Sequence, residues 1–390
     1  MSKFEHVQLA KLIERVINWN PAKEAPEVFF RYIDISSIDR DSKEIVETSS
    51  VMGKEAPSRA RQLVQAHDVL VSTVRPNLNA VAQVPETLDG GTASTGYCVL
   101  RPKNGQLDAR YLFHWVKTPT FVENMVLQAT GANYPAVTDT VIKSSTIPLP
   151  PLGEQQRIAA ILDKADMLRA KRRTAVARLD ALLQSTFLHL FGDPVTNPMG
   201  WEVKQLNDVG TLERGKSKNR PRNAPELIGG PYPLIQTGDI ANADGGYLTA
   251  YSQTYSELGL KQSRMWKAGV LCITIAANIA NTGVLTFDAC FPDSVVGFLP
   301  NSLVRTEYVQ YWLGFLRGII EEKAPQVAQK NINLKILREL EIPVPPIDLQ
   351  DNFVQVVKKH IELRSYNKQH VNQLDNLFHA LQQRAFNGQL

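Results

Sequence analysis

The sequence predicts an α/β (α+β) fold with two similar globular domains separated by two long antiparallel helices, a pseudo-two-fold internal duplication. Two observations predict it. Ile147-Pro148-Leu149-Pro150-Pro151 returns 195 residues later as Ile342-Pro343-Val344-Pro345-Pro346, in a chain of 390 residues. After each proline cluster the register then holds without a gap through Gln155/Gln350, Lys164/Lys359, Leu168/Leu363, Arg169/Arg364, Val176/Val371, Leu179/Leu374, Asp180/Asp375, Leu182/Leu377 and Phe191/Phe386. A gapless match of that length marks a rigid element. Solenoids repeat every 20 to 50 residues or so, whereas one duplication at half the chain length gives two domains. The expected divisions are 1–152 and 193–346 for the globular domains, and 153–192 and 347–390 for the helices that follow them.

The first domain mixes short β-like runs, Val69 to Val74 and Tyr97 to Leu100, with turns and a helix near Ala109 to Val116. Its start, Phe4-Glu5-His6-Val7-Gln8-Leu9, is answered by Trp201-Glu202-Val203-Lys204-Gln205-Leu206, and Tyr111-x3-Trp115 by Tyr308-x3-Trp312. These upstream matches drift in spacing as loops permit.

Glu154 to Phe191 is free of glycine and proline. Its apolar residues at Ile158, Ile161, Ala165, Leu168, Ala175, Leu179 and Leu182 step by threes and fours along one seam, with Arg172 the only break. Phe191-Gly192-Asp193-Pro194 ends the helix: glycine takes the left-handed cap and proline blocks continuation. At 1.5 Å per residue this rod measures about 57 Å.

The second domain enters through Asn197-Pro198-Met199-Gly200-Trp201, with strands expected at Pro233 to Gln236 and Val270 to Ile275. Gly269 to Phe287 is apolar, but Asn278, Asn281 and Thr282 interrupt it, so two buried strands joined by an Asn-containing turn fit better than a membrane span. Asp348, a good N-cap, opens the second long helix, with seam positions Phe353, Val356, His360, Leu363, His370, Leu374 and Leu377. Two striped helices bury their stripes most simply against each other, antiparallel, placing the domains at opposite ends. One register sets Ala165 against His370 and Ala175 against His360, small against large.

Composition narrows the function classes. Forty-three basic against thirty-nine acidic residues give a net charge of only +4, so any basic surface must be local. Cys98, Cys272 and Cys290 lie far apart without CxxC spacing, which suggests buried thiols rather than disulfides or zinc. Met1 to Arg15 is charged throughout and lacks an apolar signal core, so a cytoplasmic location is expected.

Gly210-Thr211-Leu212-Glu213-Arg214-Gly215-Lys216-Ser217 satisfies the phosphate-loop pattern, which works only between a buried strand and a helix. Here the preceding run is short and polar, and Asn219, Pro221, Asn223 and Pro225 follow, so a nucleotidase is the weaker reading. Arg214, Lys216, Lys218, Arg220 and Arg222 instead place five cations in nine residues with no acid among them, a loop suited to a phosphate backbone. Arg59, Arg61 and Arg75 near Asn77 and Asn79, and Gln236, Lys261, Gln262 and Arg264 in the second half, are the residue types that read base edges. Lys330 joins them. Arg169, Lys171, Arg172 and Arg173, mid-helix, read as a solvated face. No GxGxxG after a strand, no metal spacing and no Asn-Pro-Pro-aromatic methyltransferase motif occurs; catalytic and metal residues are expected to be absent. The sequence reads as that of a binder, with a coiled-coil scaffold as the third class.

The residues reached so far resemble the specificity subunit of type I restriction and modification enzymes, across essentially the whole chain. The match rests on Ile147 to Ile158 leading into a long helix, its echo from Ile342, and Phe191-Gly-Asp-Pro-Val-Thr-Asn-Pro-Met-Gly-Trp201. Pro57-Ser58-Arg59-Ala60-Arg61, Val74-Arg75-Pro76-Asn77, Gly131-Ala-Asn-Tyr-Pro135 and Gln329-Lys330-Asn331-Ile332-Asn333 also look like family segments.

The resemblance implies two target-recognition domains, each reading one half of a split, asymmetric DNA site, spaced by conserved helices that also dock partners. It implies two modification subunits that methylate adenine with S-adenosylmethionine, restriction subunits using ATP and Mg, and no active site or cofactor in this chain. The second copy departs from the pattern, with Asp348-Leu349-Gln350-Asp351 where the first has Gly153-Glu154-Gln155-Gln156. A rod of about 57 Å exceeds the roughly 34 Å of one DNA turn, so the two heads can meet the duplex about a turn apart.

Overall fold

The computed structural model describes residues 3–131, 133–219, 221–222, 224–276, 280–323 and 333–390, with the side chains of 318–323 excepted. The chain divides into two compact units, Met1–Thr174 with Gln369–Leu390, and Ala175–Lys368. Each long helix therefore gives its two halves to different units.

In the first unit, one sheet has the strand order Ser49–Met52, Phe29–Ile33, Thr92–Ser94, Ala60–Leu63, with only the middle pair parallel. A second, wholly antiparallel sheet runs Ile13–Glu14, Tyr97–Pro102, Val69–Ser72, Val81–Gln83. Val69–Ser72 is buried along its whole length. The two-residue period of a strand explains this: Leu70 and Val99 face one apolar cluster with Ile33 and Tyr97, while Val69, Val71, Cys98 and Leu100 face another with the helices. The Ala109–Val116 helix starts where Asp108 accepts the Arg110 and Tyr111 amides, both at 3.0 Å.

The second unit repeats this plan. One sheet runs Gln253–Tyr255, Ile228–Leu234, Ala289–Cys290, Met265–Trp266, again with a parallel middle pair. The other runs Gly210–Arg214, Val295–Pro300, Leu271–Thr274, Thr282–Leu285, and adds Tyr247–Leu248 as a fifth strand. Leu271–Thr274 and Thr282–Leu285 are the expected antiparallel pair within the apolar Gly269–Phe287 run; Asn278 lies outside the described residues. Cys98, Cys272 and Cys290 are buried and free.

The same joint ties each unit to its long helices. His6–Gln8 pairs with Thr146–Pro148, and Glu202–Gln205 with Glu341–Val344. Tyr111 donates its hydroxyl to Pro148 O and Tyr308 to Pro343 O, each at 2.7 Å. Buried Gln155 accepts from Asp108 N and donates to Gln106 O and Pro150 O; buried Gln350 accepts from Arg305 N and donates to Leu303 O and Pro345 O. Each glutamine satisfies backbone groups that the chain's turns leave without partners.

The central helix spans Leu152–Phe191 and the C-terminal helix Ile347–Phe386. Gly192 takes the left-handed cap at φ +79. The helices run antiparallel within each unit: Arg157 donates to Leu390 O and Arg169 to Asp375 in the first, while Asp180 meets His360 and Phe187 meets Phe353 in the second.

Several expectations need correction. Of the seam positions, Ile158 and Phe353 are buried, and Ile161, Leu179 and Leu374 are half-buried, but Leu168, Leu182, Val356, Leu363 and Leu377 are exposed. The buried track lies one step round, through Leu162, Leu183, Phe187, Val357 and Phe378. Both tracks are apolar, and the globular parts of each unit cover only one of them. His360 faces Asp180 rather than Ala175, at 3.1 Å. Arg169 is not a solvated cation: it pairs with Asp166 and Asp375, each at 2.6 Å, and lies over Phe378. Asp348 sits inside the first helical turn, which begins at Ile347. The strand expected at Pro233 to Gln236 ends at Leu234.

Candidate nucleic-acid interface

In the first unit, Arg59 is exposed at the turn before the Ala60–Leu63 strand. Arg61 is half-buried and donates to Asn20 Oδ1 at 3.1 Å, so part of its hydrogen-bonding capacity is spent internally. Arg75, Asn77 and Asn79 share one loop built on the short turn Pro76–Leu78, with Arg75 and Asn79 both left-handed. Asn77 is exposed; Asn79 is half-buried, and Lys43 Nζ donates to its carbonyl at 2.6 Å. Burial pushes the Lys43 ammonium below its ordinary range. Arg75 lies over the Tyr134 ring, 4.9 Å from its centroid.

In the second unit, Gly210–Arg214 is a strand and residues 215–218 continue without helix. A phosphate loop needs helical amides after the glycine, so Lys216 and Ser217 form no such site. Gly215 is there for another reason: a Cβ would stand 2.2 Å from Phe291 O and 2.4 Å from Pro292 O. Arg214, Lys216 and Lys218 are exposed and have no carboxylate partner among the described residues. Arg222 is neutralised by Asp293 at 2.6 Å. Arg220 and Lys330 lie outside the described residues.

Gln262 is buried, and its Oε1 accepts the Lys218 and Asn219 amides at 2.6 and 3.0 Å. It shapes the basic loop instead of facing a partner, helped by Ser263 Oγ, which donates to Lys216 O at 2.9 Å. Arg264 pairs with Glu213 and lies 4.1 Å over Trp266. Lys261 is exposed. Gln236 heads the Thr237–Ala243 helix, its N–H donating to Asp239 at 2.8 Å and its side chain to Gln253 at 3.1 Å.

The two units carry like segments at like places in their sheets. Ser58-Arg59 precedes Ala60–Leu63 and Ser263-Arg264 precedes Met265–Trp266, the same edge strand in each sheet order. Exposed Tyr134 was missed as a site residue, although Gly131-Ala-Asn-Tyr-Pro135 stood out as a segment; an aromatic between Gly and Pro was the available signal. The holding role of Gln262 left no signal, since a buried and an exposed glutamine look alike in sequence. Among the described residues no His/Cys/Asp/Glu group could hold a metal, and no helix is long and apolar enough to cross a membrane.

A family model for the type I restriction modification DNA specificity domain matches residues 45–177 and 198–376. The specificity subunit of the Escherichia coli type I restriction enzyme EcoBI is 21% identical over 330 residues, covering 75% of this chain and 68% of that one. That of the Haemophilus influenzae enzyme HindI is 19% identical over 420 residues, covering 86% and 89%. Among solved structures, a chain from work on complex assembly and conformational transition of the type I R-M system is 26% identical with TM-score 0.62, covering 99% of this chain and 98% of that one. The S subunit of the M. genitalium system shares the fold at TM-score 0.59 and 13% identity, covering 99% and 96%. The two matched segments, one on each repeated sheet plan, make this chain a member of the type I restriction modification DNA specificity family.

Proposed function

We propose that the chain is the non-catalytic recognition subunit of a type I restriction-modification complex and binds a bipartite, asymmetric DNA target, one half-site per unit. One observation carries this reading: the same strand order occurs twice, but the exposed polar residues sit at different places in the frame, mostly after Val69–Ser72 in the first unit and after Gly210–Arg214 in the second. The first unit offers Arg59, Arg75 and Asn77; the second offers Arg214, Lys216, Lys218 and Lys261. Equal frames with unequal side chains suit unequal half-sites.

Two modification subunits dock on the long helices in this reading. The apolar residues left exposed there support it: Met167, Leu168 and Leu377 in the first unit, and Leu182, Leu188, Val356, Leu363 and Tyr366 in the second. S-adenosylmethionine, ATP and Mg belong to the modification and restriction partners, and the complex works on double-stranded DNA in the cytoplasm. Methylation needs the adenine turned out of the stack, which this subunit aids by holding the duplex.

Co-purification with the cognate modification subunit, followed by mapping of methylated adenine, tests the reading. A two-part motif is expected; methylation without one, or none, counts against it. Replacing residues 193–346 with another second domain should change one half-site only. A scaffold that never touches DNA predicts a complex that fails to bind DNA at any salt concentration.

A further inference from the structure

Two segments far apart in sequence meet in the first unit. Val74 bridges to Ala136, Arg75 N donates to Pro135 O at 2.7 Å, and Val137 N to Thr73 O at 2.8 Å. Arg75 has φ +50 and Asn79 φ +44, a conformation that side-chain-bearing residues rarely hold unless their surroundings impose it. Here buried Pro76 lies between the two, and Lys43 holds the Asn79 carbonyl. Gly131 has φ +100, and a Cβ there would stand 2.9 Å from Tyr134 O, so the facing loop needs glycine to close.

This construction presents an aromatic ring that is 69% exposed, with a guanidinium above it. Among the described residues Arg75 has no carboxylate partner. Stacking occupies the face of a guanidinium and leaves its planar edge of N–H donors available. Such an edge matches O6 and N7 of guanine in the major groove.

We propose that Arg75 reads a guanine in the half-site served by the first unit, and that Tyr134 is the positioning residue that holds its guanidinium for that contact. This rests on the first unit being a DNA reader. The two roles separate by chemistry: Arg75 supplies the bidentate donors, while Tyr134 supplies only a π-face, which phenylalanine also has.

The test uses the full-length chain, co-expressed with its cognate modification subunit, on a duplex library randomised across both half-sites, reading which sequences become methylated. Arg75→Ala should lose preference for G at one position by about 5- to 150-fold and leave the other positions unchanged. Arg75→Lys should lose most of it, because an ammonium is not a planar fork. Tyr134→Ala should weaken the same position, and Tyr134→Phe should retain it. The preference is a ratio within one sample, so a smaller folded fraction cannot imitate its loss. A uniform drop over all sequences on Arg75→Ala would mark a phosphate contact and overturn the inference. So would a preference untouched by Arg75→Ala and Arg75→Lys, or by Tyr134→Ala. If the wild-type complex itself selects no two-part sequence, the reading of the chain as a DNA recognition subunit fails, and this inference with it.

Discussion

The joint between sheets and helices is built twice with the same anchors and filled in two different ways. Gln155 and Gln350, Tyr111 and Tyr308, and the ion pairs Arg169–Asp375 and Arg364–Asp180 occupy matching positions in the two units. Phe386 packs on Tyr111 with ring centroids 5.1 Å apart, and Phe191 on Tyr308 at 4.9 Å. Beside these anchors the first unit holds a polar network. His114 Nε2 meets Asp163 at 2.7 Å, Lys117 Nζ meets Asp166 at 2.6 Å, and Gln382 Nε2 donates to His114 O at 3.0 Å. In the second unit the corresponding positions hold Tyr311, Lys358, Gly314, Ile361 and Phe187. Phe187 sits in an aromatic cluster with Phe191, Tyr308, Phe315 and Phe353, at centroid distances of 4.9 to 5.7 Å.

The recurring glutamines mark the fixed part of the joint, and the changed filling marks the replaceable part. Buried carbonyls and amides need partners in fixed directions, so the glutamines recur. The space beside them needs only to be filled and electrically balanced, and charges or rings both achieve that.

Substitutions on either side of the joint test this difference. The largest effect belongs to Phe187→Ala, which should cost about 3–5 kcal/mol in the second unit. Amide hydrogen exchange across Thr306–Phe315 reads it locally; a loss below about 1 kcal/mol would mean the cluster does not fill the joint. Asp166→Ala comes next, because it leaves Lys117 buried without its carboxylate. We expect roughly 2–3 kcal/mol in the first unit, less than for a sealed pair because Asp166 is about a third open to solvent. The double replacement Lys117→Met with Asp166→Leu should return to within about 1 kcal/mol of wild type, since apolar filling serves the second unit already.

Gln155→Ala and Gln350→Ala should each cost about 1–3 kcal/mol and nearly the same amount, measured by exchange in the respective units. A large disparity would deny that the anchors are equivalent. The smallest effect is pH-dependent. Burial pushes the His114 imidazole below its ordinary 6.5, against the pull of Asp163. Its Nε2–H donates to the carboxylate, as assigned from that contact, and Nδ1 has no partner among the described residues, so a second proton is unwelcome. The unfolded chain takes up that proton near 6.5 and the folded unit only at lower pH, so stability falls as pH drops below 6.5, by up to about 1.4 kcal/mol per pH unit. His114→Gln should remove that slope from the Ala109–Val116 amides. An unchanged slope would place the acid sensitivity elsewhere.

Much of this architecture was legible in the residues. The repeat at Ile147 and Ile342, the gapless stretches after it and Gly192-Asp193-Pro194 foretold both long helices and the end of the first. Val69 to Val74 and Tyr97 to Leu100 foretold the buried strands. For the candidate interface the chain gave residue types, not their surroundings. Arg75, Arg214, Lys216 and Lys218 are exposed, but Gln262 is a buried support, Arg222 is neutralised by Asp293, and Arg61 leans on Asn20.

The duplication and the two long helices could be read from the chain alone. The duplication shows as a repeat along the chain, and the helices rest on periodicity, glycine and proline, which act within a few turns. Tertiary structure alone decided whether Leu168 or Leu162, and Leu182 or Leu183, turns inward, because neighbouring apolar tracks on a helix differ only in what covers them. It also decided that Asp166 takes Lys117 while its counterpart Ile361 packs against the apolar core, and that Tyr134 lies under Arg75. Those pairings join residues dozens of positions apart, and only the folded chain brings them within reach.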